Sequence, residues 1–248
     1  MKQGIQTLPG GSGEFTTTHW SVVLRAGDSA SPLALDALEQ LCRAYWYPLY
    51  LYVRRQGLEP PEAQDMTQGF FEQLIEKDFL SDVDPHKGRF RSFLLAALKH
   101  FLLNQRKYAG RIKRGGNVPL VSFDAGEAEF RFQAEAPSGT SPERAFDRRW
   151  ATTVMELSLR KLHEGYRESG KGKVFQVLKN YLSREPGTGE YEEVAEQLGM
   201  SRSAVGVAVH RLRQRYGELI RREIAQTVAQ PLEIDEEMRY LLDLLSDR

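Results

Sequence analysis

Hydrophobic positions recur three and four residues apart through most of this chain, and that spacing predicts helices. Thr18 is placed to cap a short helix through Arg25, with Trp20, Val23 and Leu24 turned inward. Ser31-Pro32 opens a longer helix ending near Gly57, because serine at the N-cap and proline at the first helical position form a strong start signal. Pro48 is expected to kink it. Pro60-Pro61-Glu62 opens a third helix to about Lys77, and Asp84-Pro85 precedes a fourth that runs to about Gly110. Between 115 and 140 the pattern dissolves into Gly, Pro, Ser and mixed charge, with 118–123 as a short extended candidate. Ser141-Pro142-Glu143 then opens a helix with Phe146, Trp150, Val154 and Leu157 inward, and another covers 173–182. The expected fold is all-α: two helical domains, 15–114 and 141–230, joined by a flexible linker over 115–140, after a flexible arm over 1–14. An acidic amphipathic helix follows in 231–248, its stripe being Ile234, Met238, Leu241, Leu242 and Leu245.

Residues 191–216 carry the most informative pattern. Tyr191, Val194, Ala195 and Leu198 form one buried stripe of a short helix that Gly199 ends. Ser201 is a natural N-cap for a second helix with Val205, Val209, Leu212 and Tyr216 as its core face. At 100° per residue Ser203, Gly206, Val207, His210, Arg211 and Gln214 point away from that core, flanked by Arg202, Arg213 and Arg215. Six arginines and one acid, Glu218, lie between 202 and 222. This is the pattern of a helix-turn-helix whose second helix offers base-edge contacts in a major groove and arginines to phosphates. A solvated basic helix in an ordinary bundle fits the same spacing.

Charge sharpens the picture. The chain is neutral, with 34 Lys and Arg against 34 Asp and Glu, yet 85–123 holds nine basic residues and no acid. Lys99, Arg106, Lys107, Arg111, Lys113 and Arg114 sit among Phe90, Phe93, Phe101 and Tyr108. Such a mixture suits a phosphate backbone with unstacked bases against aromatic faces, although Phe93, Leu94, Ala97, Leu98 and Phe101 also have the spacing of a core stripe. A run of like charge calls for a polyanion to neutralise it.

Two blocks resemble bacterial sigma factors of the group 4, extracytoplasmic-function type within the sigma-70 family. The first, over 37–116, contains Tyr45-Trp-Tyr-Pro-Leu-Tyr50, Ala63-Gln-Asp-Met-Thr-Gln-Gly-Phe-Phe-Glu-Gln-Leu74 and Gly88-Arg-Phe-Arg-Ser-Phe-Leu-Leu95. It is similar to region two of that family, which binds the clamp helices of the β′ subunit of core RNA polymerase and captures the melted minus-10 element. The second, Tyr191 to Ser201 through 204–213, is similar to region four, which reads the minus-35 element. The resemblance implies polymerase contacts from Asp65, Gln68 and Glu72. It also implies minus-10 and melting contacts from the basic run, with His100 and Asn104 where many relatives carry Asn and Asp. Gly69 stands where relatives carry an acid, which makes Thr67 a regulatory candidate, since phosphorylation would add negative charge there. The partners it implies are core polymerase and promoter DNA, with an anti-sigma factor or a kinase as regulators.

Other chemistry finds little support. The five histidines, His19, His86, His100, His163 and His210, lack metal-ligand spacing, and the single cysteine, Cys42, excludes an intramolecular disulfide. Neither a cofactor nor a catalytic metal is expected, and the chain does not read as an enzyme. No apolar run approaches the ~20 residues of a membrane span and 1–14 is no signal peptide, so a cytoplasmic protein without membrane insertion is expected. Two rivals share the same helix-turn-helix: a free-standing transcriptional regulator and a protein-binding adaptor. The acidic C-terminal helix is expected either to pack on the helix-turn-helix domain or to shield its arginines.

Overall fold

The computed structural model describes residues 19–28, 31–76, 80, 83–108, 125–134, 140–187 and 189–246. The fold is all-α, with no strand among the described residues. The α-helices are α1 (Trp20–Ala26), α2 (Ala34–Arg55), α3 (Pro60–Glu76), α4 (Phe90–Tyr108), α5 (Ala125–Ala134), α6 (Pro142–Glu168), α7 (Gly172–Leu178), α8 (Glu190–Leu198), α9 (Arg202–Ala225) and α10 (Glu233–Ser246). Short 3-10 turns cover Pro85–Lys87 and Lys179–Tyr181. The described chain forms two compact units: residues up to Thr153 together with those from Gln226 on, and Val154–Ala225.

The first unit is built around α2. Its second half, Ala44 to Val53, is buried on every side, as expected of a helix enclosed by neighbours rather than laid on a surface. Pro48 sits inside this helix and supplies no N–H to the turn before it. The buried tyrosines place their hydroxyls on acids of other helices: Tyr50 donates to Glu129 at 2.8 Å and Tyr52 to Glu143 at 3.3 Å. Burial, reinforced by Glu143, pushes the Tyr52 phenol up to about 12. Cys42 is buried as well, and burial, with the Glu39 charge beside it, pushes its thiol up to about 12, which leaves it without nucleophilic thiolate.

Three sequence expectations change in this unit. Leu24 is exposed, leaving Trp20, Val23 and Ala26 as the inward face of α1. Helix α5 lies inside the segment read as a linker, and it is fixed to α2 through Glu129. That carboxylate takes two bonds of 3.0 Å from Arg54, whose guanidinium also stacks on Phe132 at 4.5 Å. The Arg54 bonds hold the Glu129 carboxyl below its ordinary range. The third change concerns α10, which belongs to the first unit and not to the helix-turn-helix. Glu237 is fully buried, with one carboxylate oxygen 2.6 Å from Arg89 and the other paired with Arg91. Arg91, itself buried, also reaches Asp147 at 3.3 Å and lies 3.8 Å above the Trp150 ring. Tyr240 donates to Asp147 at 2.6 Å, and Arg144 pairs with Asp243 at 3.4 Å. The buried positions are therefore Glu237, Leu241 and Leu244, while Leu242, placed inward by the apolar pattern, is 56% exposed.

The second unit has its own core of Leu162, Phe175, Leu178, Tyr181, Val194, Ala195, Val205, Val209 and Leu212. Tyr216 closes it by donating to the Met155 carbonyl at 3.0 Å, and Lys161 pairs with the buried Glu223.

Candidate nucleic-acid interface

Local chemistry defines the turn between α8 and α9. Gly199 adopts φ +63°, the left-handed conformation that ends a helix, and Met200 N–H reaches back to the Ala195 carbonyl at 2.9 Å. Ser201 then caps α9, its hydroxyl accepting from Ala204 N–H at 3.2 Å. Gly199 and Ser201 thus stand where the sequence pattern requires them.

The face of α9 is narrower than its helical projection implies. Ser203, Val207, His210, Arg211, Gln214 and Arg215 are all exposed. Arg213 is not a free cation: its guanidinium donates at 2.7 Å to the Tyr181 carbonyl, to the Arg184 carbonyl and to Glu185. Those bonds tie α9 to the segment that precedes α8. Arg202 pairs with Glu192 at 2.7 Å. A Cβ at Gly206 would lie 3.7 Å from Tyr191, so this position faces α8 rather than outward. The positions of α8 and of the turn before it explain the difference. Positions 202, 206 and 213 lie within about 90° of the direction of Val205, Val209 and Leu212, whereas 207 and 214 lie nearly opposite it.

Two measurements follow from this geometry. Arg213→Ala is expected to lower the stability of the second unit by about 2 kcal/mol, for loss of hydrogen bonds from a charged donor. Circular dichroism during urea unfolding reads that loss. Gly206→Ala is expected to do the opposite, stabilising by roughly 1 kcal/mol, because the added methyl meets Tyr191 at an ordinary contact distance and alanine favours the helix.

In the first unit α4 carries the other candidate surface. His100, Asn104 and Arg106 are exposed: His100 and Asn104 share one face of the helix, Arg106 lies about 120° round from His100, and the exposed Leu103 falls between them. Lys99 pairs with Glu143 at 2.8 Å, an exposed ion pair that holds the Glu143 carboxyl below its ordinary range. Phe90 and Phe101 are core residues: Phe90 packs edge-on to Trp20 and Tyr45, and Phe101 to Phe70. The Lys107 side chain and Arg111, Lys113 and Arg114 lie outside the described residues. A cleft of about 590 Å³ opens beside the start of α4, lined by Trp20, Lys87, Arg89, Ser92 and Phe93 on one side and by Glu233 and Glu236 of α10 on the other. This cleft is not legible in the sequence, because its walls come from segments about 140 residues apart.

On α3, Asp65 is exposed, and Gln68 donates to Glu72 at 3.1 Å, which makes one polar strip of the three. A Cβ at Gly69 would stand 3.4 Å from the Phe101 ring of α4, an ordinary contact, so the position lies beside this aromatic. Thr67 is fully buried and its hydroxyl donates to the Ala63 carbonyl at 2.7 Å. A kinase has no access to such a hydroxyl in the folded protein, so Thr67 is an interior residue and not the regulatory position expected from the sequence.

No known protein family, curated protein or solved structure matches this chain. Among the described residues no group of three or more His, Cys, Asp or Glu is placed to hold a metal ion, and no helix is long and apolar enough to cross a membrane.

Proposed function

We propose that the protein is a sigma-type promoter-specificity factor, which docks on core RNA polymerase, reads a duplex element with α9 and captures melted promoter strand along α4. The observation that carries this reading is the exposed strip of Ser203, Val207, His210 and Gln214 beside Arg211 and Arg215, presented by a Ser-capped second helix. Side chains of this size on the first turns of such a helix reach base edges, while flanking arginines meet phosphates. The exposed His100 and Asn104 on one face of α4, with Arg106 on its flank, supply the second surface, and the polar strip of Asp65, Gln68 and Glu72 supplies the polymerase contact.

Co-purification with core polymerase, followed by transcription in vitro, tests the reading. The intact chain is expected to bind the polymerase and to direct initiation from a selected promoter, and Asp65→Ala to weaken that binding while the protein stays folded. Arg211→Ala with Arg215→Ala is expected to flatten the salt dependence of duplex binding by about 0.9 log unit per lost phosphate contact. Tight sequence-specific duplex binding without any polymerase binding would instead identify a free-standing regulator.

A further inference from the structure

We infer that Val207 reads the methyl group of a thymine, and so fixes one A·T pair in the duplex element that α9 recognises. The inference rests on the proposed DNA-reading role of α9 and adds to it a particular base. Along the outward strip of α9 the residues are Ser203, Val207, His210 and Gln214, at i, i+4, i+7 and i+11. Val207 is 47% exposed in the middle of them, flanked by polar side chains. It lies about 170° from the core direction of α9, on the face turned away from the core of its own unit. Its left flank offers little to compete for a base, since Gly206 has no side chain and faces Tyr191, while Arg202 and Arg213 are held by Glu192, Glu185 and two backbone carbonyls.

A branched apolar side chain within the first two turns of a groove-reading helix has one partner among the major-groove edges. The other bases present donors and acceptors there, and a valine can satisfy none of them, whereas thymine adds a methyl group at C5. Burying a donor or acceptor against Val207 would leave it unpaired, so the valine also selects against the other three bases at that position. Ser203 and His210 stand one turn to either side and can bond to the neighbouring pairs.

The test uses the full-length chain bound to core polymerase, and a random duplex pool from which binding sequences are selected. The expected result is one position fixed as thymine, at which replacement by deoxyuridine, which removes only the methyl, lowers affinity about fourfold, the equivalent of about 0.8 kcal/mol for one buried methyl. In Val207→Ala the same replacement is expected to have no effect. This variant keeps the fold, because the site is exposed and alanine favours a helix over valine. Cytosine at that position should gain affinity on 5-methylation with the native chain and not with the variant. A selected duplex that tolerates deoxyuridine everywhere, or one whose sensitivity survives in Val207→Ala, overturns the assignment of Val207 and leaves DNA reading by α9 standing. Selection that enriches no sequence overturns both.

Discussion

Replacing Glu237 by alanine is expected to lower the stability of the first unit by about 3–5 kcal/mol, the cost of removing one partner from a buried ion pair. Both of its carboxylate oxygens are engaged by arginines, and the group has no exposure through which water could replace it. With the carboxylate gone, Arg91 remains buried with only Asp147 for a counter-charge, at 3.3 Å, and its stacking on Trp150. The loss is a large fraction of the 5–15 kcal/mol that a folded domain possesses. Tryptophan emission during urea unfolding reads it cleanly, because all three tryptophans, Trp20, Trp46 and Trp150, are buried in the first unit. Pairing Arg91→Met with Glu237→Leu is expected to recover part of the loss, since a buried ion pair exchanged for apolar side chains of similar size is often neutral or better. An unchanged midpoint in Glu237→Ala would show that α10 is not held by this pair.

Thr67→Glu is expected to be nearly as damaging, at several kcal/mol. Thr67 has no exposure, and a glutamate there must either carry its charge into the packed interior of the first unit or displace α3. The same tryptophan signal should shift to lower urea, and binding to core polymerase should fall with it. Thr67→Val, which keeps the shape and loses only the bond to the Ala63 carbonyl, is expected to cost no more than about 1 kcal/mol. Tighter polymerase binding by a folded Thr67→Glu protein would contradict this account and reinstate Thr67 as a regulatory position.

Much of the fold was legible because helix signals are local. Pro60-Pro61 and Ser141-Pro142 stand at the starts of α3 and α6, and Gly199 with Ser201 defines the turn of the helix-turn-helix, whereas α2 begins only at Ala34 with Leu33 as its N-cap, beyond the Ser31-Pro32 signal. What escaped the sequence depended on partners far away in the chain. Glu237 breaks the apolar stripe of α10 and reads as a solvated acid until Arg89 and Arg91 are placed beside it. Helix α5 was hidden in a segment of mixed charge, because its anchor, Glu129, gains meaning only from Arg54 and Tyr50. On α9 the exposed arc is narrower on one side than the projection implies. Helical projection gives the direction of a residue but not the position of the neighbouring helix, and α8 claims Gly206, while the turn before it claims Arg213.

The return of α10 to the first unit also sets an order of events during synthesis. Glu237 lies 146 residues further along the chain than Arg91, and Trp20 N–H bonds to the carbonyl of Gln226 at 3.1 Å. At roughly 5–20 residues per second on the ribosome, Arg91 waits about 7–30 s for its carboxylate. The stretch 154–225 is contiguous, so its helices can close their core while the earlier-made unit is still one helix short. The half of the protein synthesised first is thus the last to be completed, and a chain released before residue 226 would carry the whole helix-turn-helix while Arg89 and Arg91 of the first unit still lacked their shared carboxylate.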